Sequence, residues 1–221
     1  MLQAILFDHD GTLVDSEPCH FDIWNQVLAP LGVQLTEAQY KDLYAGMPTP
    51  ANAVDIAARF SIDLPPATLS EMKLAATRTH MDEHGFPLMP GTRDVLERLR
   101  GLGLRMAVVT GANTEAVRST LRRHDLADFF ETVVSCDDVT HSKPAPDCYL
   151  LAAERLGVAP ADCVAIEDSE HGLTAAADAG VPCLVVPTEM SRHHDFRRAT
   201  AIVDGLAGAF EWIGPRAAGA R

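Results

Sequence analysis

The sequence predicts an α/β protein, a doubly wound parallel sheet with an α-helical cap domain inserted near its amino terminus. Short apolar runs near residues 3–8, 104–110, 132–136, 163–167, 182–187 and 201–203 have the length of strands. Helical stripes at 92–100, 114–124, 147–156 and 172–179 separate most of them, and strand-helix alternation gives parallel pairing with right-handed crossovers. Residues 16–85 contain helical patterns and no convincing strand, and such a stretch is too long for a bare loop in a compact domain.

In chain order, the first run, Ala4-Ile5-Leu6-Phe7, ends on Asp8-His9-Asp10-Gly11-Thr12. The inserted block then reads as helices over 18–31, 36–44, 51–60 and 66–84, the second opened by a capping box of Thr36 and Gln39. Hinges are expected near Asp15-Ser16 and Gly85-Phe86-Pro87, so the core comprises 1–15 and 86–221 and the cap 16–85. Gly101-Leu102-Gly103 imitates part of a dinucleotide fingerprint but precedes a strand, which is the wrong order. Residues 217–221 read as a frayed tail.

Four elements carry chemistry. Asp8 and Asp10 sit where the first strand gives way to a turn at Gly11, so both carboxylates can face one pocket, one to attack and one to move protons. Val108-Val109-Thr110-Gly111 ends a second strand in a hydroxyl and a glycine, with Ala112 next; it offers phosphate-oxygen donors, or is simply a strand-to-helix turn. Lys143, in Ser142-Lys143-Pro144-Ala145-Pro146-Asp147, is a compact cation whose approach is stiffened by two prolines. Glu167 and Asp168 close a third strand ahead of Ser169, which can cap the next helix; the acids can hold a hard cation or favour that helix's N-terminus.

Together these elements resemble the haloacid dehalogenase superfamily, in the branch that includes beta-phosphoglucomutase and phosphoglycolate phosphatase, over nearly the whole chain. The resemblance implies a Rossmann-like core and Mg2+-dependent phosphoryl chemistry. It makes Asp8 the nucleophile, Asp10 the general acid/base, Thr110 the phosphate ligand with Gly111 and Ala112 beside it, and Lys143 the charge stabiliser. The metal would be held by Asp8, the Asp10 backbone carbonyl and Asp168, with Glu167 as a further ligand or just behind them. Dehalogenases of the superfamily need no acid at the position of Asp10, because halide leaves unprotonated, so the implied substrate is a phosphate ester. His9 stands where relatives commonly carry an apolar residue.

Substrate choice is expected in the cap. His20 and Trp24 share a helix face at i, i+4 and either touch substrate or, for Trp24 with Leu28 and Leu31, build the cap's own core. The turn Tyr44-Ala45-Gly46-Met47-Pro48-Thr49 reads as the specificity loop, with Gly46 allowing close approach and Thr49 a polar contact. In beta-phosphoglucomutase this loop carries an arginine for a second phosphate; here it offers no cation, which favours hydrolysis over a phosphosugar mutase unless Lys41, Lys73 or Arg78 substitutes from elsewhere in the cap. A non-catalytic phosphometabolite-binding protein on the same scaffold is the third reading.

Composition narrows the partners. A net charge of -13 and a sequence pI near 5.0 argue against nucleic acid and anionic membranes, leaving a small phosphorylated metabolite as the expected partner of a monomer or weak dimer. Five cysteines without a C-x-x-C pair give neither a disulfide framework nor a zinc cluster. With no signal-like or membrane-spanning run, a cytoplasmic location is expected.

Overall fold

The computed structural model describes residues 1–218, so most of the tail expected at 217–221 lies outside the described residues, while Ala217 and Ala218 close the last helix. The chain divides into two compact units, Met1–Asp15 with Pro87–Arg221, and Ser16–Phe86.

The first unit is a six-stranded, wholly parallel sheet: β1 (Ala4–Phe7), β2 (Arg105–Val109), β3 (Thr132–Val134), β4 (Cys163–Glu167), β5 (Cys183–Val185) and β6 (Ala201–Ile202). Its order is β3-β2-β1-β4-β5-β6, so the chain winds outward from β1 in one direction and then from β4 in the other. Parallel sheets of this kind bind ligands where the winding reverses, outside the carboxyl ends of the strands. Here the reversal falls between β1 and β4, which pair through Phe7 and Ile166.

The central strands β1 and β4 are buried on both faces, which is why they read as unbroken apolar runs. Period-two alternation sorts them by size. Ala4, Leu6, Ala107, Ala165 and Cys183 face α7 (Asp147–Leu156) and α8 (Glu170–Asp178), whose buried residues include Ala152, Ala153, Ala175 and Ala176. Ile5, Phe7, Met106, Val108 and Ile166 face α5 (Thr92–Gly101), α6 (Thr114–Arg123) and α9 (Gly205–Ala218). Small residues on the first face let α8 lie close to the sheet, with consequences for Glu167 described below.

The helix α9 has no counterpart in the sequence reading. Gly208, Gly214 and Pro215 interrupt its pattern, and it stands because Leu206, Ala209 and Ile213 are buried against the second face.

The second unit contains α1 (Glu17–Leu28), α2 (Glu37–Leu43), α3 (Thr49–Arg59) and α4 (Pro66–Glu83). The capping box opens α2: Thr36 Oγ1 accepts from the Gln39 N–H at 3.2 Å and the Thr36 N–H donates to Gln39 Oε1 at 2.9 Å. Trp24 is buried with Leu28, Tyr40, Tyr44, Ile56 and Leu69, which makes it part of this unit's core. Phe86 belongs with these helices, its ring edge-on to His20 at 5.0 Å.

The joints of the insertion are tied together within the first unit. Val14 bridges Leu88 in antiparallel fashion, the Asp15 N–H donates to the Pro87 carbonyl at 2.9 Å, and the Met89 N–H donates to that of Leu13 at 3.0 Å. No helix among the described residues is long and apolar enough to cross a membrane, and all five cysteines are free thiols.

Candidate active site

Strand register alone places the acids. Phe7 lies level with Val108 on β2 and with Ile166 on β4, so the next residue, Asp8, lies level with Val109 and Glu167. Alternation then puts Asp8 on the face of Leu6 and Glu167 on the face of Ala165, which is the same face. The Asp8 N–H still donates to the Ile166 carbonyl at 2.9 Å, which fixes its backbone to the sheet edge.

Lys143 joins these groups. Its Nζ donates to Asp8 Oδ1 at 2.6 Å, to Glu167 Oε1 at 2.6 Å and to the Val109 carbonyl at 2.9 Å. Burial opposes the ammonium charge, but Asp8 and then Glu167 outweigh it and hold Lys143 well above the ordinary lysine range. Asp8 is pushed up to about 7, first by burial and next by the charge of Glu167, with Lys143 pulling the other way. One cation thus faces two carboxylates in a water-poor site, and the pair carries excess negative charge.

Glu167 is fully buried and held by protein donors at both oxygens. Besides Lys143, Oε1 accepts from the Tyr149 hydroxyl at 2.8 Å; Oε2 accepts from the Ser169 hydroxyl at 3.1 Å and the backbone N–H groups of Asp168 and Ser169. Ser169 also caps α8, accepting from the Gly172 N–H at 3.1 Å. That helix lies so close that a Cβ on Gly172 would sit 1.8 Å from Glu167 Oε1. Tyr149 has its own proton affinity raised well above the usual by burial and then by Glu167. Sequence reasoning missed Tyr149, which lies two residues beyond Asp147 in the first turn of α7.

The turn after β1 is tight. The His9 carbonyl accepts from the N–H groups of Leu13 and Val14, and Gly11 adopts φ +82°. A Cβ on Gly11 would approach Asp168 Oδ2 to 2.4 Å, so only glycine leaves room for that carboxylate. Oxygens of Asp8, Glu167 and Asp168 lie within 4.8 Å of one another, the one such cluster among the described residues.

Beside them, Thr110 is buried, and its hydroxyl accepts from the Ala112 N–H at 3.0 Å, with Gly111 exposed between. His9 is 1% exposed; its Nδ1 bonds Asp10 Oδ2 at 3.0 Å, while Nε2 is buried with no partner among the described residues. Burial opposes a charge on His9, but the Asp10 carboxylate outweighs burial and raises the ring's proton affinity.

The remaining sequence candidates lie in the helical unit. His20 Nδ1 pairs with Lys73 Nζ at 3.0 Å, and Lys73 is itself buried and donates to Thr77 Oγ1 at 2.9 Å. Gly46, at φ +70°, donates its N–H to Glu17 Oε1 at 3.0 Å, and Thr49 begins α3.

A family model of haloacid dehalogenase-like hydrolases matches residues 2–180. Protein CbbY of Cereibacter sphaeroides is 34% identical over 219 residues, covering 94% of each chain. Fructose-1-phosphate phosphatase YqaB of Escherichia coli is 37% identical over 183 residues, covering 83% of this chain and 95% of that protein. The crystal structure of CbbY from Rhodobacter sphaeroides in complex with phosphate superposes with a TM-score of 0.78 at 33% identity, covering 94% of this chain and 96% of that one. Matched along its length in sequence and in fold, the chain belongs to the haloacid dehalogenase-like hydrolases, in the phosphatase branch of that family.

Proposed function

We propose that the protein is a Mg2+-dependent phosphohydrolase that cleaves the phosphate monoester of a small phosphorylated sugar through an aspartyl phosphate on Asp8. The observation that carries this reading is the Asp8 carboxylate, fixed at the sheet's switch point by Lys143 at 2.6 Å and crowded by Glu167 and Asp168. The sugar substrate class follows from the likeness to YqaB, named for fructose 1-phosphate.

The donor set fits a hard divalent cation. Carboxylate oxygens within 4.8 Å of one another, a nucleophile raised to about 7 by burial and its acidic neighbour, and a glycine that keeps space open at Asp168 are what such an ion requires. Because Glu167 is occupied by protein donors, Asp8, Asp168 and the Asp10 carbonyl are the proposed ligands, with Glu167 positioning Lys143. When bound, the cation supplies positive charge that lets an anionic nucleophile approach an anionic phosphate.

The chain's own residues do the rest. An Asp8 oxygen attacks phosphorus as the bond to the sugar oxygen breaks, and Asp10 gives that oxygen its proton. Lys143 stabilises charge on the transferring group, and Thr110 with the Gly111–Ala112 backbone receives its oxygens. Asp10 then takes a proton from the water that hydrolyses the acyl phosphate. The helical unit acts as the cap that selects the leaving group, His20, Gly46 and Thr49 being the residues assigned to it. Its Met47-Pro48-Thr49 turn carries no cation to grip a second phosphate, which supports hydrolysis over mutase chemistry.

Phosphate release from hexose phosphates with Mg2+ and with EDTA tests the reading. Release that needs Mg2+ and vanishes in Asp8→Asn is expected. Isomer interconversion on addition of a sugar bisphosphate, without release, would replace it with the mutase.

A further inference from the structure

We infer that Tyr149 is a positioning residue that makes Lys143 available to the substrate. Its hydroxyl bonds the Glu167 oxygen that also holds the ammonium, so Lys143 can turn one hydrogen from Glu167 to the transferring phosphoryl group. The inference rests on the proposed phosphohydrolase reading and adds a residue to its machinery.

The hydrogens of Lys143 set the problem. A lysine ammonium carries three donors and no acceptor. Here all three are occupied, by Asp8 Oδ1 at 2.6 Å, Glu167 Oε1 at 2.6 Å and the Val109 carbonyl at 2.9 Å, on a side chain only 8% exposed. A phosphoryl oxygen arriving beside Asp8 therefore finds no hydrogen to accept from Lys143 until one of these contacts is given up. In a buried site the acceptor left behind loses stability, and a carboxylate loses most.

The oxygens of Glu167 show which contact yields. A carboxylate offers about four lone-pair sites. Glu167 meets five donors: Lys143 and the Tyr149 hydroxyl at Oε1, and the Ser169 hydroxyl with the N–H groups of Asp168 and Ser169 at Oε2. Without Lys143 it still has four, and Oε1 keeps a bond of 2.8 Å from Tyr149. Glu167 can therefore let the ammonium go and stay satisfied, which holds only while the tyrosine hydroxyl is present.

Tyr149 is suited to remain when the lysine turns. It is 0% exposed, within the apolar cluster that α7 and α8 form with the sheet, so its hydroxyl is fixed by the core. A phenol is neutral at physiological pH and stays a donor. Lys143 Nζ lies 5.2 Å from the centre of its ring, a surface that favours a cation. Phenylalanine would fill the same space, so what the hydroxyl adds is its bond to Oε1. In Tyr149→Phe that oxygen depends on Lys143 alone and keeps it. No covalent bond changes in this step: the ammonium retains its three protons, and one N–H···O contact passes from Glu167 Oε1 to a phosphoryl oxygen.

The test compares crystal structures of native protein and Tyr149→Phe, each with Mg2+ and inorganic phosphate, together with first-turnover cleavage of fructose 1-phosphate and melting temperatures. In native protein with phosphate, Nζ is expected within about 3.2 Å of a phosphate oxygen and more than about 3.5 Å from Glu167 Oε1, with the Tyr149 bond retained. In Tyr149→Phe, Nζ is expected to stay on Glu167, and first-turnover cleavage to fall roughly 10- to 100-fold, the worth of one charge-assisted hydrogen bond. A merely structural hydroxyl would lower the melting temperature without changing which oxygen Lys143 holds. Native protein that binds phosphate with Lys143 still on Glu167 would overturn the inference, and this result needs no variant, so it decides even where Tyr149→Phe misfolds. A Tyr149→Phe protein whose Lys143 reaches phosphate, or whose rate stays within about 3-fold of native, would overturn it as well. Native protein that neither binds phosphate nor cleaves sugar phosphates would instead overturn the phosphohydrolase reading.

Discussion

Both units of this chain bury polar side chains, and they use them in opposite ways. In the α/β unit Asp8, Thr110, Glu167 and Asp168 all lie at strand ends along one sheet edge, and Lys143 ties Asp8 to Glu167. In the helical unit Asn52 and Lys73 lie on separate helices and serve their immediate surroundings: Asn52 Nδ2 donates to the carbonyls of Tyr44 and Met47, and Lys73 reaches His20 and Thr77. Burial and the charge of Glu167 raise the proton affinity of Asp8, whereas the amide contacts of Asn52 hold a turn in place. The contrast teaches that burial of a polar group says little about function until its partners are known.

The largest effect expected from breaking the contrast is Asp8→Asn, which should lower turnover by at least about 10^4-fold with the fold intact by circular dichroism. Second is Gly172→Ala. The added carbon would lie 1.8 Å from Glu167 Oε1, so the glutamate must move away from Lys143; steady-state kinetics should show a loss of roughly 100-fold and denaturant unfolding a loss of about 2 kcal/mol. In the helical unit, Asn52→Ala leaves the buried Tyr44 carbonyl short of a donor and should cost about 1–3 kcal/mol while first-turnover cleavage of p-nitrophenyl phosphate stays near native. Smallest is Thr36→Ala, which removes the capping box at a cost of about 1 kcal/mol and leaves kcat unchanged.

The cluster also predicts a pH dependence. Asp8 is raised in the metal-free fold to about 7, so its neutral form stabilises the protein at low pH and that contribution is lost as pH rises through about 7. A cation competes with the same proton. The increase in melting temperature produced by Mg2+ should therefore be larger at about pH 8 than at about pH 6, and Asp8→Asn should flatten the difference in differential scanning calorimetry.

What was legible in the sequence follows the same division. Residues at strand ends are fixed by register, so Asp8, Thr110 and Glu167 could be read from apolar runs that stop at chemistry-bearing residues, and Lys143 from the two prolines that stiffen its approach to α7. Tyr149 was not, because nothing in K-P-A-P-D-C-Y distinguishes a core tyrosine from one whose hydroxyl reaches Glu167 Oε1. The helix α9 was hidden by Gly208, Gly214 and Pro215, residues that argue locally against the helix that packing enforces. The burial of Lys73 was equally unreadable, since lysine on a helix is ordinarily a solvated residue.

The seam at Val14 and Leu88 has a consequence for how such a chain can change. Because the chain departs and returns through neighbouring backbone already hydrogen-bonded within the sheet unit, everything from Ser16 to Phe86 occupies what is topologically one surface loop. Closing a loop costs only about 0.6 kcal/mol more for each doubling of its length. Inserts of different length are therefore tolerated at this point with little change in closure cost, while the sheet unit keeps its register.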